Sequence, residues 1–73
     1  MKFNLTEKDI QLLTKENISV DTSLDYTEDE AFYLLDQVRD IEVKYSQDYG
    51  ENEKLFFLYG DLADKIQQQI PER

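Results

Sequence analysis

Three times along this chain, apolar residues recur at the spacing of one helical face, and polar or turn-forming residues separate the runs. The clearest run is Ala31, Leu34, Leu35, Val38, Ile41 and Tyr45. It opens on Thr27-Glu28-Asp29-Glu30, in which the threonine hydroxyl can accept from the Glu30 N–H while the glutamate reaches back to the threonine N–H. This capping box predicts a helix from about residue 28 to about residue 47, with Gly50 as its stop. A second run, Leu55, Leu58, Tyr59, Leu62, Ile66 and Ile70, predicts a helix over about 53–70, capped by Asn52 and ended by Pro71.

The shortest run lies near the start. Thr6 suits an N-cap, Asp9 stands at the third helical position, and Leu5 can staple onto Ile10. Asn17 is a residue that tolerates a left-handed C′ position, which would return Ile18 against Leu13. The expected helix covers about 7–16 and buries Ile10, Leu12 and Leu13. Between it and the capping box, residues 18–26 mix β-branched and turn-forming types. They read as an ordered extended connector with Ile18, Val20, Leu24 and Tyr26 facing inward, because a lone strand has no evident partner. The expected fold is therefore all-α: a small three-helix bundle that makes a single domain of residues 1–73.

A chain of 73 residues supports one core. At this size a core alone usually supplies about 3–5 kcal/mol, so a partner or a second copy would add useful burial. The absence of Cys and His rules out disulfides, thiolate nucleophiles, Cys/His zinc sites and imidazole catalysis. Seventeen acids against eight bases give a net charge of −9, which repels nucleic acid and anionic lipid. A hydrophobic content of 40% with four Phe and five Tyr still favours a folded chain. The longest apolar run, Leu55 to Tyr59, falls far short of the roughly 20 residues a membrane span needs. Met1 to Leu5 leads straight into Thr6, Glu7, Lys8 and Asp9 without a signal-type apolar stretch, so a cytoplasmic location is expected.

Few residue groups suggest chemistry. Asp21, Ser23, Asp25, Thr27 and Asp29 alternate as in an EF-hand loop, but Tyr26 stands where that loop needs glycine and Phe32 where it needs a bidentate glutamate. Turn and cap roles explain them better. Asp36 and Asp40, with Arg39 nearby, have the spacing of exposed helix carboxylates, and three short helices leave little room for a substrate cleft. No catalytic residue, cofactor or metal is expected. Glu42 falls near the middle of the stripe made by Ala31, Leu35, Val38 and Tyr45 and is expected at the bundle edge, with its head in water near Lys15 or Lys65.

Phe57 falls outside the third helix's apolar face, beside Asp61 and Asp64, and is the candidate anchor of a protein interface, a homodimer included. Phe56, Ala63, Phe32 and Val43 could widen the patch, although Phe56 and Phe32 fit a wide buried arc equally well. A second candidate surface comes from charge. Between Glu16 and Val38 there are seven acids and no base, and Asp21, Asp25, Glu28, Asp29 and Asp36 are spaced so that they could imitate DNA phosphates.

The order Leu5-Thr6-Glu7, Asn17-Ile18 and Asp25-Tyr26-Thr27-Glu28-Asp29-Glu30 resembles, over about residues 5–40, short acidic uncharacterised proteins of Gram-positive bacteria and their phages. That resemblance implies a helical fold and an intracellular location, and it carries over no catalytic or binding residue. The expected function is a non-enzymatic interaction or regulatory module that docks an acid-rimmed aromatic patch onto a protein, which the acids suit to be basic. The competing expectation is a DNA-mimic inhibitor of a nucleic-acid-binding protein.

Overall fold

Local signals at the helix ends set the architecture. In the computed structural model, which describes residues 1–47 and 49–71 and only the backbone of Tyr49, the helices are α1 (Glu7–Lys15), α2 (Glu28–Ser46) and α3 (Tyr49–Gln69). Thr6 and Asp9 form a reciprocal box, with the Asp9 N–H donating to Thr6 Oγ1 at 3.2 Å and the Thr6 N–H to Asp9 Oδ2 at 3.0 Å. Thr27 and Glu30 repeat the arrangement at the start of α2, at 3.2 and 3.0 Å. Each box satisfies two backbone N–H groups that would otherwise lack partners, and its acids complement the positive helix end.

Asn17 ends α1 as its residue type suggests. Its φ of 61° is left-handed, and the N–H groups of Asn17 and Ile18 donate to the carbonyls of Thr14 and Leu13 at 3.0 and 2.9 Å. This Schellman closure turns the chain back so that Ile18 and Leu13 are both buried.

The junction of α2 and α3 differs from the expectation. Gly50 is not a left-handed stop, since no glycine has positive φ, and α2 instead closes on Gln47 in the right-handed region. The chain re-enters helix at Tyr49, ahead of the expected start at 53, and Asn52 marks a kink within α3 at φ −114°, ψ 19° instead of an extended cap. Asn52 is the residue that leaves helical geometry there, so the regular part of α3 runs on from residue 53, where the sequence places its start.

α2 and α3 pack as an antiparallel pair. Leu34, Leu35, Val38 and Ile41 face Tyr59, Leu62, Ala63, Ile66 and Ile70, and Phe3, Leu13 and Ile18 close the core. α1 is joined to this pair mainly by long side chains. Tyr59, fully buried, donates its hydroxyl to the Leu12 carbonyl at 2.7 Å. That carbonyl is one of the α1 C-terminal acceptors left without a helical donor. Lys65 reaches Asp9 at 2.6 Å, and the Tyr45 hydroxyl donates to Glu16.

The connector finds a partner that its own sequence does not reveal. Met1 and Tyr26 exchange both backbone hydrogen bonds, at 2.7 and 2.6 Å, and the Phe3 and Tyr26 rings lie 5.4 Å apart. No strand is formed among the described residues. The Gln69 amide fixes the same N-terminal segment to α3, accepting from the Asn4 N–H at 2.6 Å and donating to the Asn4 carbonyl at 3.1 Å. Leu24 is not an inward anchor. A turn at Asp21 to Leu24, in which Asp21 accepts from Ser23 and from the Leu24 N–H, leaves the leucine 53% exposed.

Replacing Tyr59 by Phe keeps the ring and leaves the Leu12 carbonyl unpaired. The expected loss is about 1–3 kcal/mol in urea denaturation, and an unchanged midpoint would show that the bond contributes nothing. At the α1 terminus, Asn17→Val should cost roughly 1–2 kcal/mol while Asn17→Gly stays near wild type, which thermal melts of the two variants will compare.

Candidate functional site

The flattened shape, 37 × 26 × 16 Å, leaves several large apolar side chains on the surface: Leu24, Phe32, Tyr33, Val43 and Phe57. They fall into two regions, one at the connector and one along the outer side of the α2–α3 pair.

The first region contains a cleft of about 390 Å³ between the connector and the opening turns of α2, contrary to the expectation that three helices leave no room for one. The cause lies in the connector. Its backbone is tied outward to Met1, and the Tyr26 hydroxyl accepts from the Asp21 N–H at 2.9 Å, so the segment arches over α2 without filling the space beneath. Ile18, Val20, Tyr26 and Leu34 give an apolar floor, with the exposed Tyr33, Asp29 and Glu30 at the edge and Ser19 and Gln37 completing the wall. Tyr33 was not singled out by periodicity, since an exposed tyrosine on a helix carries no signal of a neighbouring gap.

The second region holds Phe57, which is 52% exposed. The half-buried Phe56 meets it edge-on, with ring centroids 5.5 Å apart. Asp61 and Asp64 follow on the same face at helical spacing, both exposed. Phe32 is 40% exposed but does not join them. Because Arg39 pairs with Gln67 and Tyr45 with Tyr59, Phe32 lies level with the far end of α3, about 20 Å along the helix axis from Phe57. Ala63 is buried in the core and cannot widen the patch, whereas the exposed Val43 lies toward the Phe56 end.

An ionic cluster crosses between the helices beside this patch. Arg39 donates to Glu42 at 3.2 Å, to Gln67 at 2.6 Å and, more weakly, to Asp64 at 3.5 Å. Glu42 therefore meets neither Lys15 nor Lys65: Arg39, on its own helix, takes it, while Lys65 is held by Asp9. Its carboxylate sits against Gly60, where an added Cβ would come within 3.2 Å of Oε2, so the missing side chain makes room for the charge.

The acids of the connector and α2 differ in their partners. Asp21 accepts from both the N–H and the hydroxyl of Ser23, bonds that hold its carboxyl below its ordinary value. Asp25 pairs with the Met1 amine at 3.2 Å. Glu28 and Asp29 belong to the first turn of α2, and Asp29 borders the cleft. Asp36 is exposed further along the helix, near the Phe32 side by the helical spacing. Among the described residues no three acids converge as metal ligands.

Behind both regions runs a tyrosine pair. The Tyr45 and Tyr59 rings stack at 5.6 Å, Glu16 accepts from Tyr45, and Lys44 approaches the same carboxylate at 3.6 Å. The hydrogen bond to Glu16, then burial, pushes the Tyr45 hydroxyl up to about 12. Burial and the nearby Glu16 charge also raise Tyr59.

No protein-family model, curated protein or solved structure matches this chain. The geometry of its own residues therefore carries the functional reading.

The raised tyrosine has a definite consequence for stability. Its folded value exceeds the ordinary value of 10.0, so the unfolded chain gives up this proton first. The contribution of the Tyr45–Glu16 bond is complete below about pH 10 and is lost as pH rises toward about 12. Thermal midpoints measured across that range should fall for the native chain, and less steeply for Tyr45→Phe; equal slopes would contradict the assignment.

Proposed function

We propose that this chain is a non-enzymatic interaction module that docks a basic partner protein through the aromatic patch at Phe57 with its acidic rim. The observation that carries this reading is that Phe57 stays half exposed while the core is complete without it. Full burial of an exposed side chain of this size is worth about 1.5–3 kcal/mol, so covering the half of Phe57 that is still exposed contributes on the order of 1 kcal/mol, which suits an anchor. Asp61 and Asp64 beside it, and the net charge of −9, favour encounter with a positively charged surface. The anchor is Phe57 with Phe56, and Phe32 belongs to a different part of the surface.

Imitation of DNA draws less support. Of the acids suited to it, Asp21 is engaged by Ser23 and Asp25 by the Met1 amine. A regulatory role inside a cell, in the cytoplasm of a bacterium or in phage infection, agrees with the resemblance noted above. None of the described helices is long and apolar enough to cross a membrane.

The test compares native chain, Phe57→Ala and Phe57→Asp in capture of bound proteins from native cells and in sedimentation equilibrium. Phe57→Asp is expected to release a basic partner, or to dissociate a homodimer, with Phe57→Ala intermediate and thermal stability changed by no more than about 0.5 kcal/mol. If both variants keep the same bound proteins and the same mass as the native chain, Phe57 is not the anchor. Displacement of the partner by duplex DNA, with a steep dependence on salt, would favour DNA imitation instead.

A further inference from the structure

We infer that the cleft between the connector and α2 is a second binding site, which takes a lysine- or arginine-rich segment of another protein that inserts one bulky apolar side chain. This inference stands independently of the role assigned to Phe57. The cleft's volume of about 390 Å³ lies within the range of about 300–1,000 Å³ found for binding pockets. Its floor of Ile18, Val20 and Leu34 offers nothing to a purely polar ligand, so the occupant brings an apolar group.

Charge specifies the rest of the occupant. From Glu16 to Val38 the chain carries no base, and every lining residue of the cleft belongs to that stretch. Asp29 borders the opening, and the 67% exposed Tyr33 presents an aromatic face at its mouth. A guanidinium or ammonium group can therefore rest on the Tyr33 ring near the Asp29 carboxylate. The lining draws on both the connector, Ile18 to Tyr26, and α2 as far as Gln37, so the cleft follows the length of a helix face and suits a peptide segment.

The two tyrosines divide the work. Tyr26 is fixed, because its hydroxyl accepts from Asp21 and its ring rests on Phe3, so it acts as a rigid wall. Tyr33 lies mostly in solvent and gains burial when the segment arrives.

The experiment is an amide NMR titration of the full chain with the synthetic peptide Lys-Arg-Lys-Phe-Lys-Arg-Lys and its counterpart with Ser in place of Phe. The expected result is that shifts concentrate on residues 18–37 and that the Ser peptide binds at least about tenfold more weakly. Tyr33→Ser should weaken the Phe peptide about tenfold with an unchanged thermal midpoint, and Asp29→Asn a few-fold with a shallower salt dependence, while Phe57→Ser has no effect. Absence of binding, equal binding of both peptides, or shifts spread over all acidic surfaces would overturn the inference. Shifts centred on Phe56 and Phe57 would overturn it too, while supporting the Phe57 patch, so the two readings fail separately.

Discussion

The hydrogen bond from the Tyr59 hydroxyl to the Leu12 carbonyl is the contact on which the arrangement of the helices depends. α2 and α3 share a continuous apolar seam and would associate on hydrophobic burial alone. α1 has only nine residues and a single fully buried side chain, Leu13, so its own apolar contribution is small. Tyr59 supplies what α1 lacks. It fills the core between the layers and satisfies a terminal carbonyl, and its stacked neighbour Tyr45 donates to the side-chain carboxylate of Glu16, the α1 C-cap residue. A partly buried carbonyl that lost this donor would be left under-satisfied, so the contact also favours one orientation of α1.

The exposed features follow from that placement. With α1 anchored, the Schellman closure at Asn17 sends the connector in one direction only, and its bonds to Met1 hold it away from the opening turns of α2. The cleft is the space left beneath that arch. Elsewhere on the α2–α3 pair the Arg39 cluster bridges the two helices, and Phe57, packed edge-on against Phe56, stays half exposed. The two surfaces therefore have different physical origins. One is a gap made by a constrained loop, and the other an aromatic on the polar face of a helix.

Much of the fold was legible in the sequence, because its signals are local. Thr6 with Asp9, Thr27 with Glu30, and Asn17 each act through hydrogen bonds within a few residues, and the apolar period identified the core of α2 and α3. Gly50 misled because a residue that permits a stop does not require one when the chain can re-enter helix at once, whereas Asn52 does mark the break that its residue type suggests. Leu24 misled because hydrophobicity cannot outweigh a turn set by Asp21 and Ser23. For the candidate sites, the exposure of Phe57 was readable from its place on the helical wheel, whereas the separation of Phe32 from it depends on how α2 and α3 align. The cleft was not readable, since it depends on how the connector settles against α2, whereas the partner of Glu42 was within reach of the sequence, Arg39 lying three residues earlier on the same helix. Tyr59 looked like one more apolar position, although its hydroxyl ties α1 to the helix pair.

A module built this way holds its two surfaces on a frame whose weakest junction is the one between α1 and the helix pair. Amide hydrogen exchange on native and Tyr59→Phe chains tests that claim most directly. If Tyr59 anchors the layer, the variant loses protection together at the α1 amides and at Ile18 and Tyr26, while the central turns of α2 and α3 keep theirs. Uniform loss over all three helices, or unchanged protection in α1 and the connector, would contradict it.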